Sequence, residues 1–404
     1  MNKTVLATLA VGAITVAGGA HGQTTLQFWD NQQTESGLSQ FQQEAVDRFT
    51  EENPDIQVEV TTIPYPEYQQ RLLTAVQGGN APDIATLDQI WVAAFAEAGA
   101  VADLSERAAA GGLTRDAFFA GAWDSALYHD GLFGIPFNVD VWQFSFYNQD
   151  LLDAAGVEPA SLTTFDGLRA AAEALTGDGK FGVGLFSHRG EDTVVVMNSF
   201  VFSNGGRVLN DDGSCALNEP EAVEALTYLQ ELAPFAPEGI LNASSGDMRE
   251  LFLNGSLAIE FWPALEQPTL QASDINWGFV AGTAPQGKTP VGTFGGWNLA
   301  LFESSENKDA AWKFIEFMVR DDVNGDVVDL IPANKAAASV FLDANREGPG
   351  VIMEHLENAA PRPLSARYLE VADIQMRLSQ DVFSGSDVQA AADEACAAID
   401  ALGG

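Results

Sequence analysis

The most constraining feature of this chain is the order of apolar patterns between residues 25 and 98. Thr25 to Trp29 reads as a strand ending in the polar run Asp30 to Gln33. Phe41, Ala45, Val46 and Phe49 then recur at helical spacing, and that helix stops at Asn53-Pro54. Ile56, Val58 and Val60 alternate as a second strand. Tyr68 to Val76 forms a second helix with a glycine stop at Gly78-Gly79. Asp83 to Asp88 is a third strand, followed by a helix from Trp91 to Ala98. Strands separated by helices at this spacing predict a parallel, helix-flanked sheet. Ligands of such sheets sit beyond the carboxyl ends of the strands. Those ends carry Asp30 to Glu35 and Asp88.

A second stretch, Gly131 to Gly156, decides what lies downstream. Ile135, Phe137, Val139 and Val141 fall on one face of a strand, because successive side chains point to opposite sides. Asn138, Asp140 and Trp142 fall on the other. An amide, a carboxylate and an indole make a poor core face and a reasonable surface for a polyhydroxylated ligand.

At 404 residues the chain exceeds one ordinary core and predicts two units. Lys3, an apolar run from Val5 to Val16 and the small residues around Ala20-His21-Gly22 read as a signal peptide, 1–22, cleaved before Gln23. No Cys follows it at once, so a free periplasmic protein is expected, with no membrane insertion. The formal charge is 19 − 57 = −38, or 18 − 57 = −39 once Lys3 is removed. Nucleic acid and anionic membranes would repel such a chain. The acidity reads as a solvated surface, with cation binding the alternative. Cys215 and Cys396 permit one disulfide in an exported protein, and the sequence leaves their pairing open.

Three pieces now occur in order: Phe49 to Val60 (F-T-E-E-N-P-D-I-Q-V-E-V), Tyr65 to Leu73, and Asn80 to Ala85 (N-A-P-D-I-A). Downstream come G-I-P at Gly134 to Pro136 and Y-N-x-x-L at Tyr147 to Leu151. Phe252 to Pro263, Thr293 to Leu301 and Ile331 to Lys335 follow. Together these resemble the extracellular solute-binding proteins of ABC sugar importers, family 1, of the maltose/trehalose-binding type, along essentially the whole mature chain. The resemblance implies an α/β, two-lobed periplasmic-binding-protein fold (type II-like), with three hinge crossings and a ligand cleft between the lobes. Lobe one would comprise 24–138 and 288–324, and lobe two 141–281 and 330–404. The crossings would lie near 138–141, 281–288 and 324–331.

A sugar needs flat apolar surface for its ring faces and polar groups for its hydroxyls. Trp262, Trp297 and Trp142 stand beside strand ends or glycine turns and are the stacking candidates. The other tryptophans, Trp91 among them, sit in regular patterns and read as core. Glu35, Asp88 and Asp140 are the candidate acceptors, by strand-end position and by matching acids of the family. Gly295 and Gly296 would let backbone approach the ligand. Arg362, in Pro-Arg-Pro, resembles an arginine that bridges cleft and ligand in the family, and Asn138 is a weaker candidate. The expected activity is capture of an α-linked disaccharide or small oligosaccharide (trehalose, maltose, sucrose) for delivery to permease subunits. The protein would be a monomer with no catalysis, cofactor or metal. The alternatives are a secreted glycoside hydrolase using two of the acids, and a binder of a non-sugar solute such as a polyamine.

Overall fold

The structure, a computed structural model, describes residues 23–31, 39–326 and 330–403. The expected signal peptide and Glu35 lie outside them. Among the described residues, twelve strands form two principal sheets and a small hairpin. In chain order they are β1 (Thr24–Asp30), β2 (Ile56–Thr62), β3 (Ile84–Asp88), β4 (Leu127–Tyr128), β5 (Gly131–Leu132) and β6 (Ile135–Val141). There follow β7 (Phe144–Asn148), β8 (Phe181–Val183), β9 (Leu257–Trp262), β10 (Trp277–Val280), β11 (Phe294–Leu301) and β12 (Ile331–Pro332). The first sheet has six strands in the order β12-β6-β11-β3-β1-β2, the second four in the order β10-β7-β9-β8.

The alternation read from residues 25–98 forms as expected. β1 pairs in parallel with both β2 and β3, with the helices Ser39–Glu52, Tyr65–Gln77 and Gln89–Glu97 between and after them. Beyond these strands the sheet is mixed. β11 enters antiparallel between β3 and β6, a pairing no local pattern announces. Side-chain caps open the helices Gln149–Ala155 and Phe165–Leu175: Asn148 accepts from the Leu151 N–H at 3.2 Å and Thr164 from the Gly167 N–H at 3.2 Å.

The chain changes sheet between Val141 and Phe144, and returns between Val280 and Phe294. Gln143 at the first change is fully buried with φ +81°, a left-handed conformation unusual for a side chain larger than glycine. Ile331 and Pro332, placed by sequence at the start of lobe two, pair instead with Val139 and Asn138 at the edge of the first sheet. An edge is where a strand proline, lacking an N–H, costs least. The helices Tyr368–Phe383 and Val388–Asp400 pack on the second sheet's helical layer. A disulfide joins Cys215 to Cys396, 181 residues apart, and ties the last helix to the loop before Pro220–Leu232.

Candidate ligand site

Asp88 ends β3 and also caps the helix that follows, accepting from the Ile90 N–H at 3.3 Å. Strand-to-helix geometry therefore fixes its carboxylate at the carboxyl edge of the first sheet. Register then places two distant residues beside it. Trp297 of β11 lies opposite Asp88 on one side and opposite Asn138 of β6 on the other. A bulge between Trp297 and Asn298 breaks the alternation. As a result Trp297 packs with Ala300 and Phe302, while Leu299 and Leu301 face the main core.

Around Trp297 the rings form a box. Trp91 meets it edge-on at 5.7 Å, Tyr65 at 5.8 Å and Tyr68 at 6.2 Å, and Tyr65 stacks on Trp91 at 5.9 Å. Gly296 explains how β6 and β11 come so close. Its φ is +145°, and a Cβ there would lie 2.2 Å from the Asn138 carbonyl oxygen. Gly295 is different: a Cβ would meet nothing nearer than the Asp140 carbonyl oxygen at 3.8 Å. Packing does not demand a glycine at that position.

From the segment between the helices Pro349–Glu357 and Tyr368–Phe383 comes Arg362. Its Nη2 donates to Asp88 Oδ1 at 3.0 Å and its Nη1 to Glu191 Oε2 at 3.1 Å. Tyr368 donates its hydroxyl to the same Glu191 oxygen at 2.8 Å, and the guanidinium lies 5.9 Å from the Tyr368 ring centre. Arg362 is buried, and its Nε has no protein partner. Burial would pull the guanidinium down, but Asp88, Tyr368 and Glu191 outweigh it and hold Arg362 charged. Burial likewise lifts the Asp88 carboxyl above its usual range, with Arg362 opposing and Glu191 assisting.

The other predicted site residues divide. Asn138 is fully buried in the row beside Trp297, and neither its side-chain N nor its O has a protein partner. Asp140, expected to take ligand hydroxyls, instead accepts three backbone N–H groups: Val141 at 2.7 Å, Leu265 at 2.9 Å and Ala264 at 3.2 Å. It caps the turn after β9, and burial pushes it up to about 6. Trp262, expected as a stacking platform, is fully buried, with Phe252 at 5.1 Å and Phe146 at 5.9 Å. The helix Ser245–Leu253 carries Phe252 against the Trp262 ring. Trp142 is half-buried against the main core, away from the ring box. Sequence reading missed Glu191, Tyr65 and Tyr368, and took Trp91 for ordinary core. For Tyr368 a signal existed, since it opens a helix six residues after Arg362.

Among the described residues, no group of three or more His, Cys, Asp or Glu is placed to hold a metal ion. Nor is any helix there long and apolar enough to cross a membrane. Two α/β lobes joined by crossing segments, with an aromatic box and a shared arginine at their junction, define a two-lobed solute-binding protein. The family model for bacterial extracellular solute-binding protein matches residues 31–325, and the chain belongs to that family. It is a binding protein, not an enzyme. A putative binding protein of Brucella abortus is 25% identical over 368 residues, covering 88% of this chain and 87% of that one. The putative ABC transporter periplasmic-binding protein YcjN of Escherichia coli is 23% identical over 302 residues, 72% of this chain and 69% of that one. The solved structure of the sugar-binding protein MalE from Xanthomonas citri superposes with a TM-score of 0.82 at 24% identity, over 94% of this chain and 97% of that one.

Proposed function

We propose that this protein is the sugar-capturing component of an ABC importer, which closes two lobes over a neutral glycan and hands it to permease subunits. The observation that carries the reading is the junction itself. Trp297, Trp91 and Tyr65 give aromatic surface for ring faces. Asp88, Arg362 and the unpartnered amide of Asn138 supply acceptors and donors for hydroxyls. The relatives' printed descriptions, one an ABC periplasmic-binding protein and one a sugar-binding protein, support the same class. The ligand class we propose is an α-linked disaccharide or small oligosaccharide such as maltose, trehalose or sucrose. Lobes of 24–138 with 288–324 and 141–281 with 330–404, adjusted so that β12 stays with the first, would move about the segments at 141–144 and 280–294. The mature chain, cut near Gly22/Gln23, would act in the periplasm as a monomer.

A thermal-shift panel on the chain from Gln23 tests this, with maltose, trehalose, sucrose, longer glucans, spermidine and amino acids. A sugar at a hundred times its dissociation constant adds about 2.7 kcal/mol of stability, and Trp297→Ala is expected to lose that shift. A response to spermidine alone would reassign the cleft to a cation. New sugar products on incubation would reassign the protein to hydrolysis.

A further inference from the structure

We infer that Glu191 is a positioning residue of this site: it orients Arg362 and Tyr368 and, through Arg362, fastens lobe two to Asp88 of lobe one. Glu191 opens the helix Glu191–Ser203. One of its oxygens, Oε2, accepts from both Arg362 Nη1 and Tyr368 Oη. Arg362 Nη2 is held by Asp88, so the guanidinium is gripped at both ends by carboxylates on opposite sides of the junction. That leaves the buried Nε as the donor without a partner, in an orientation Glu191 helps to set. Three residues on, Val194 is fully buried in the cluster that holds Leu87, Trp91, Trp297 and Tyr368. The first turn of this helix therefore brings a polar and an apolar contact to the same junction.

Charge balance does not explain Glu191. Asp88 already neutralises Arg362, and a second carboxylate beside that pair is electrostatically redundant. Its contribution is therefore geometric: it fixes the plane of the guanidinium and the Tyr368 ring, and joins the assembly of the site to the meeting of the lobes.

The inference rests on the reading of this junction as the ligand site, so the test has one arm that needs no ligand. Small-angle scattering of the ligand-free mature chain compares wild type with Glu191→Ala and Glu191→Gln. Maltose titration by calorimetry follows on the same three proteins. Glu191→Ala is expected to enlarge the radius of gyration and to weaken maltose binding about tenfold, the loss of one charge-assisted hydrogen bond. Glu191→Gln, whose amide oxygen can still accept from both donors, is expected to restore most of both. Wild-type values of both quantities in Glu191→Ala would overturn the inference. So would Glu191→Gln behaving like Glu191→Ala, because the role would then be charge and not geometry. If Glu191→Ala does not fold, Glu191→Leu, which keeps helix propensity and volume, takes its place with the same expectations. If wild type ignores maltose, the maltose arm fails with the sugar reading, while the scattering arm still decides on Glu191.

Discussion

In the six-stranded sheet a tryptophan, Trp297, lies in register with a carboxylate, Asp88. In the four-stranded sheet Trp262 shares a strand face with Glu260, two residues before it on β9. Composition and burial are alike. Partners are not. Asp88 holds a cap, and a distant arginine that also binds Glu191 reaches it. Both oxygens of Glu260, and the indole nitrogen of Trp262, are buried with no protein partner. Arg249, a cation whose field reaches Glu260, spends its guanidinium on Glu266. A tryptophan beside an acid at a strand end is therefore not enough to make a site. Where a second lobe supplies the complementary charge, the acid belongs to a junction. Where a helix seals it in, the acid is a burden on stability.

The largest expected effect breaks the first pair. Arg362→Met leaves Asp88 and Glu191 facing each other without their shared cation. Removing one partner of a buried ion pair costs about 3–5 kcal/mol. Urea unfolding of wild type and variant, in the absence of sugar, measures it. A loss below about 1 kcal/mol would mean the junction is solvated and the comparison is drawn too sharply.

The second pair should answer with the opposite sign. Burial, with help from Glu266 and Asp192, pushes Glu260 from 4.5 up to about 8. A folded value above the unfolded one means the folded state binds the extra proton between those limits. Stability is then fully present below pH 4.5 and declines as pH rises towards 8. Glu260→Gln removes the ionisation while keeping the shape. It is expected to stabilise the protein by about 4 kcal/mol near pH 7.5 and by almost nothing at pH 4. Denaturation at the two pH values decides it. An equal effect at both would mean that Glu260 has found a partner the structure does not give it.

How much of this was legible beforehand follows the range of each signal. β1 to β3 and their helices could be read because Ile56-Val58-Val60 and Phe41-Ala45-Val46-Phe49 carry their own periods. The Asn138–Trp297–Asp88 row could not, since it depends on how β11 registers between strands more than 150 residues earlier in the chain. Glu191 gave no signal because its helix is buried nearly all round and so lacks an amphipathic period. The surroundings of Asp140 and Trp262 were not legible, for one shared reason. A strand end can be seen in sequence, but the turn at 263–266 and the Phe252 helix that close over it cannot.

The smallest expected effect separates adjacent glycines. Gly296 is required by its φ and by the Asn138 carbonyl, whereas Gly295 has room for a methyl group. Gly295→Ala is expected to change stability by less than about 1 kcal/mol, towards stabilisation if anything, because alanine restricts the unfolded chain. Packing therefore gives no reason for a glycine at 295. If a sugar lies over this backbone, the added methyl will weaken binding of any sugar that shifts wild type, while the unfolding midpoint stays in place. An alanine that leaves both midpoint and affinity untouched would move the ligand off β11 and towards Asn138 and β6.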